Sequence, residues 1–375
     1  MDEKIIEINE PSQNKVKVPK ISFVFFAIAI ISIIIHTIAR FYTPFANFFN
    51  RYVSSILRGI FATITNILPI SFAELMILTI PIWFVLIVNF ATKKYSSSWR
   101  DVGVFVVVVF SILALLLSVF ILNFGTGYYT SELDDRLELD KKNVSAKELA
   151  ATAEWLVNEV NAEINNINFE EKSSSIMPYG IRQMNNLLLD SYEKISDEYD
   201  FIPRLKSYVK PIILSEPMSY THITGVYTYF TGEANFNRNA PDYCIPFTVA
   251  HELAHQRGIA REDEANFIAF LVCTKSDDAY IRYCGYLNLC EYVLNALYVA
   301  DQKLWEETYL KLDNRAIYEM IAYNKHYEKY QDNVVGEISG AINDAYLQAN
   351  GTVGTRSYGL VVDLAVAFYH KNIEN

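Results

Sequence analysis

The chain has few residues of the kinds that build sulfur-ligated metal sites. It carries four cysteines in 375 residues and no CxxC spacing, so a zinc site held by cysteines is not expected. Basic clusters are missing as well. There are 32 Lys and Arg against 43 Asp and Glu, and the formal charge of −11 argues against a nucleic-acid partner. Neither an internal repeat nor a low-complexity tract is present, and the length suits one large domain or two ordinary ones. No small-x-small cleavage site follows the first apolar run, which is also longer than a signal-peptide core. That run therefore reads as a retained anchor.

What is abundant is apolar sequence. Hydrophobic residues make up 51% of the chain and mean hydropathy is +0.12, with the excess in the first third. Three runs, 21–39, 72–91 and 102–124, approach or exceed the roughly 20 residues a helix needs to cross a bilayer. Glu74 and Pro81 fall in the second run, and Glu74 lies near its end, where a carboxylate reaches the headgroups. Lys15, Lys17 and Lys20 precede the first run, and Lys93, Lys94 and Arg100 crowd the loop between the second and third. By the positive-inside rule the 1–20 tail and that loop are expected in the cytoplasm, and the residues from 125 to 375 outside the cell or in the periplasm. The expected location is the cell membrane, with several spans and lipid as a partner. The 40–71 segment, which holds Arg40, Arg51 and Arg58, suits an amphipathic stretch in the outer interface.

Beyond the spans, Ser145 followed by Glu148 forms a capping-box pattern ahead of a helix, and a second helix is expected over 178–199. Residues 210–237, rich in Ile, Val, Tyr, Phe and Thr and broken by Pro and Gly, read as two or three strands. From Pro246 onward the periods are helical, with a turn at Asn350-Gly351 before the last helix. The expected fold is mainly α: three transmembrane helices, then an α+β domain with a small sheet. Cys244, Cys273, Cys284 and Cys290 all fall in this exported part, where disulfides and free core thiols both stay open.

The stretch "HELAHQRGIAREDEAN", residues 251–266, concentrates the chemistry. Residues four apart share a helix face, so His251 and His255 can offer two imidazoles to one metal ion. Glu252 is rotated about 100° from His251, beside such an ion and free to act on a water. Gly258 suits the position after a helix end, where φ turns positive. The next helix can fold back and supply a third ligand from Glu262 or Glu264. Glu262 has Asn266 one turn later, able to orient a ligand histidine; Glu264 has no such neighbour. The bland alternative is a solvated helix in which Arg257 or Arg261 pairs with a glutamate.

"HELAH" followed by "EDEAN" resembles the gluzincins, zinc peptidases whose third ligand is a glutamate on a following helix. Asn266 stands where that pattern usually has Asp, and the step from His255 to Glu262 is short for the group. The longer stretches "TGEANFN", "PFTVAHELAHQRGIAREDEANFIAFLVC" and "SYGLVVDL" are similar to a family of bacterial membrane proteins with three N-terminal spans and a zincin-like domain. That family implies the architecture and no substrate; the gluzincin resemblance implies one Zn2+ and a peptide or protein substrate, and the position of Glu252 beside the ion makes it the expected general base. His222, Tyr227, Tyr229 and Tyr358 are candidate oxyanion donors. "FTGEANFN" is expected as an edge strand for extended substrate, and Glu233, near Asn235, as a possible ligand for a substrate's free amine. The alternative function is a non-catalytic zinc-binding membrane protein of signalling or assembly. Transport is disfavoured, since no ionisable residue sits at the centre of a span.

Overall fold

A computed structural model describes residues 16–169 and 174–374. The expected cytoplasmic tail, Lys15 included, lies outside the described residues up to position 15. The chain is mainly helical, with one small mixed sheet. Its helices are α1 (Lys20–Phe41), α2 (Thr43–Phe48), α3 (Ser55–Thr65), α4 (Phe72–Tyr95), α5 (Trp99–Asn123), α6 (Leu133–Leu137), α7 (Ala146–Glu163) and α8 (Ile181–Glu198). After these come α9 (Ser215–Ser219), α10 (Cys244–Gln256), α11 (Glu262–Thr274), α12 (Ala279–Ala300), α13 (Gln302–Tyr309), α14 (Asn314–Glu328), α15 (Val334–Ala349) and α16 (Val361–Tyr369).

Among the described residues, α1, α4 and α5 are the three helices long and apolar enough to cross a membrane. α1 packs on α5 through small side chains: Ser22, Ala29, Ser32 and Ala39 are buried on α1, and Ser111 and Ser118 on α5. Close approach of small residues is what lets helices associate where no hydrophobic effect separates helix from solvent. α4 stands apart, with none of its most apolar stretch buried against protein.

The 40–71 segment is helical and has its polarity reversed. A π-turn, Phe49–Ser54, joins α2 to α3, and Asn50, Ser54 and Arg58 on one face are buried. Tyr52, Ile56, Ile60 and Ile64 on the other face are exposed. The Arg58 guanidinium, fully enclosed, donates to Asn50 Oδ1 at 2.9 Å, to the Asn123 carbonyl at 2.7 Å and to the Arg257 carbonyl at 3.4 Å. Asn50 Nδ2 in turn donates to the Gly258 carbonyl at 3.0 Å.

Past α5, the capping box forms as expected: the Ser145 hydroxyl accepts from the Glu148 N–H, and the Glu148 carboxylate accepts from the Ser145 N–H at 2.7 Å. α7, α8, α10, α11, α12 and α16 pack around one core, in which Leu156, Leu188, Leu253, Phe267, Cys284 and Leu287 have no exposure. All four cysteines are buried free thiols.

The sheet has the order β1-β3-β2, with β1 (Lys210–Pro211), β2 (Gly225–Thr228) and β3 (Glu233–Phe236). β1 runs parallel to β3 and β2 antiparallel to it, pairing Val226 with Asn235. The "FTGEANFN" stretch therefore contributes the central strand and not an edge. The edge beside the histidine helix is β2, whose Gly225 packs on Glu252.

The sheet is also bolted to the second apolar helix. The Glu233 carboxylate accepts from the Phe72 N–H at 3.0 Å and the Ala73 N–H at 2.8 Å, capping α4. Lys210 Nζ donates to the same carboxylate at 2.6 Å. Glu74 answers from α4, accepting from the Ile213 and Leu214 N–H groups at 2.9 and 2.8 Å. Free N–H groups at a helix start favour a carboxylate, and three donors compensate its burial.

Candidate metal centre

The geometry of the centre follows from how α10 ends. Gly258 has φ of +94°, and its N–H donates to the His255 carbonyl at 2.9 Å while the Ile259 N–H donates to the Ala254 carbonyl at 3.1 Å. This pair of bonds is a Schellman motif, which needs a residue at ease with positive φ. The turn brings the Ile259 carbonyl within 2.7 Å of His255 Nδ1. A proton on Nδ1 satisfies that carbonyl and leaves the Nε2 lone pair free to ligate. After Ala260 and Arg261 the chain re-enters a helix at Glu262, so the short step from His255 is spanned by one tight reversal.

Glu262 Oε2 then lies 3.1 Å from His251 Nε2 and 3.3 Å from His255 Nε2. The two imidazoles stand at 90° to one another. Although it approaches both nitrogens, Glu262 Oε2 completes no well-formed hydrogen bond, nor does His251 Nδ1 or Glu252 Oε2. Buried polar atoms without partners are rare and call for an explanation. Ligand atoms about 2.0–2.2 Å from one tetrahedral ion stand roughly 3.3 Å apart, so these three atoms fit a single ion. His251, His255 and Glu262 form a buried group able to hold a metal ion.

Glu264, the other candidate ligand, is engaged elsewhere. Its carboxylate accepts from the Leu133 N–H at 2.9 Å and from Arg261 at 2.6 Å. Asn266 lies beside His251, and its Nδ2 donates to the Tyr292 hydroxyl at 3.4 Å. Glu233 is a correction: with its carboxylate committed to α4 and Lys210, it has no place in the cleft and no capacity for a substrate's amine. Arg257, proposed for an ion pair, instead stacks 3.8 Å over the Tyr192 ring and donates to the Leu205 carbonyl at 2.8 Å.

Electrostatics within the group are strongly coupled. Burial disfavours a charged His255, but Glu262 outweighs it and raises its pKa to about 9. The Glu262 carboxyl, though desolvated, is held well below the usual carboxylate range by His255 and His251. Burial, aided by the neighbouring His255 charge, lowers His251. Glu252 is pushed up to about 8 by burial, against the pull of His255 and of a Tyr227 backbone N–H.

Two adjoining cavities, of about 340 and 290 Å3, share Gly225, His251, Glu252, Asn343 and Tyr358 and form one cleft over the histidines. Of the candidate oxyanion donors, Tyr358 lines both halves. Tyr227 and Tyr229 line only the half beside Phe124, and the buried Tyr227 hydroxyl has no partner. His222 sits at the far rim, its Nε2 2.7 Å from the Tyr330 carbonyl. Asn343 and Tyr346 on α15, and Phe124 and Tyr128 just after α5, also line the cleft. These four went unnoticed in the sequence, where no motif marks a residue brought in from a distant helix.

Residues 45–366 match a family described as "Protein of unknown function (DUF3810)". The chain belongs to that family. No curated protein and no solved structure matches it. The family match begins inside α2 and takes in α3, the helix that carries Arg58.

Proposed function

We propose that the chain is a membrane-anchored, zinc-dependent peptidase with a zincin-like site. One observation carries the reading: two imidazole nitrogens and an otherwise unsatisfied carboxylate oxygen converge beside a cleft, with a second free carboxylate oxygen, on Glu252, next to them. Two nitrogens and one oxygen are a common donor set of catalytic zinc, and a cleft on the open side suits a fourth position left for water.

His251, His255 and Glu262 would hold the ion, with the Ile259 carbonyl fixing His255. When bound, the ion supplies Lewis acidity to a water and to the scissile carbonyl. Glu252 takes the proton from that water on Oε2 and passes it to the departing amine. The raised Glu252 pKa suits a group that must both accept and donate a proton near neutrality. Tyr358, along the whole cleft, is the best-supported donor to the developing oxyanion. β2, paired on one side only, offers an edge to an extended peptide.

The orientation follows the charges. The Lys93, Lys94 and Arg100 end of α4 and α5 is the end remote from the sheet that clamps the start of α4. With that basic end in the cytoplasm, the cleft faces the opposite side of the membrane.

Metal analysis of the purified full chain together with a peptide-library cleavage assay tests the reading. One zinc per chain with hydrolysis is expected. Glu252→Gln should keep the metal and lose hydrolysis, and a Glu252→Gln protein that cleaves like the parent overturns the mechanism.

A further inference from the structure

The cleft begins where α5 ends. Phe124 is the C-cap of α5, and its ring meets His255 edge-on, with centroids 5.8 Å apart. Phe120, in the last turn of that apolar helix, touches Tyr229 at 4.9 Å and Tyr346 at 6.1 Å. One half of the cleft wall is thus an aromatic cluster continuous with a membrane-crossing helix. The other half sets Thr224, Thr248, Asn266 and Asn288 among Phe247, Tyr292 and Tyr323. Phe and Tyr suit the boundary between hydrocarbon and water.

A second element fixes the same geometry independently. Through Arg58 and Asn50, the reversed helix α3 and its π-turn grip the Arg257 and Gly258 carbonyls at the end of the histidine helix. Its opposite face exposes Tyr52, Ile56, Ile60 and Ile64 at every fourth position. A helix that buries its polar face in protein and turns its apolar face outward is built to lie in a lipid interface. Two rigid connections, from α5 and from α3, therefore hold the histidine helix at the bilayer surface.

We propose, on the basis of the peptidase reading, that the substrates are peptide segments tethered at that surface, such as the chain flanking a transmembrane helix or a lipid anchor. The tethered end enters along the aromatic half of the cleft. Confinement to the surface raises the effective concentration of such a segment over that of a free peptide.

The test uses the full chain, loaded with zinc and reconstituted in phosphatidylcholine vesicles. One quenched fluorescent peptide is supplied in three forms: free, palmitoylated through a linker of about 4 residues, and palmitoylated through a linker of about 20 residues, which reach roughly 13 and 65 Å. The short-linker form is expected to show kcat/KM at least about tenfold above the free form. A short-linker peptide that resists while the free and long-linker forms are cut overturns the proposal, as do equal rates for the free and short-linker forms. Both results leave the peptidase reading standing. If none of the three is cut by protein carrying its zinc, that reading falls, and this proposal with it.

Discussion

Gly225 is pressed against Glu252. A Cβ at position 225 would fall 2.7 Å from Glu252 Cγ and closer still to Oε1. The strand beside the cleft needs a glycine there because the Glu252 side chain occupies the space a side chain would take.

Gly225→Ala is therefore expected to displace the Glu252 carboxylate while leaving His251, His255 and Glu262 in place. Hydrolysis should fall by on the order of a hundredfold, the usual contribution of a positioned base, with zinc content unchanged. Metal analysis and a cleavage assay on the same preparation read the two quantities. Unaltered turnover would show that Glu252 tolerates the intrusion.

Removing the metal should cost stability. An ion that binds the folded chain at a hundredfold excess over its Kd contributes about 2.7 kcal/mol. A chelator is expected to lower the melting temperature in detergent, and added zinc to restore it. His255→Gln should melt at one temperature under both conditions. A zinc-dependent shift that survives in that variant would place the ion elsewhere.

Lys210 and Glu233 form a buried pair at 2.6 Å that caps α4. Lys210→Met should destabilise by about 3 kcal/mol, because it strands a buried carboxylate. Lys210→Met combined with Glu233→Gln should recover part of that loss. A double variant no more stable than Lys210→Met alone would mean that the charge of Glu233 was never the problem.

Burial pushes Glu291 up to about 7, and Glu319, also through burial, to about 7. Their unfolded values lie near 4.3, so the folded chain binds extra protons between those limits. The resulting stability is present in full below about pH 4 and disappears as pH rises through 7. Thermal melts from pH 5 to 8 should therefore slope downward. Glu319→Gln should flatten the slope and gain on the order of 2 kcal/mol at pH 8. A parallel slope in the variant would remove Glu319 as its source.

Local pattern made much of this molecule readable before folding was considered. The runs 21–39, 72–91 and 102–124 became α1, α4 and α5, helices whose length and apolar content can both be read along the chain. Gly258, His251 and His255 could be read together because one helix end and one helical period relate them. Glu233 could not be read in this way. Its partners are the start of α4, about 160 positions away, and Lys210, and nothing in "TGEANFN" announces either. β3 was mistaken for an edge because strand order depends on a neighbour, β1, only two residues long. Tyr358 could be guessed only as one of 26 tyrosines, and Asn343 not at all, since they come to the cleft from α15 and from the turn that follows it, about 90 positions and more beyond the histidines.

The enclosed Arg58 guanidinium carries one more consequence. Severing the chain before residue 125 would remove the donors that satisfy the Arg257 and Gly258 carbonyls and the α4 backbone that satisfies Glu233. A shed, soluble form would leave the membrane with its histidine helix unbraced. The helices before residue 125 and the histidine helix are therefore one structural unit, and a cut between them would strip the brace from the end of α10.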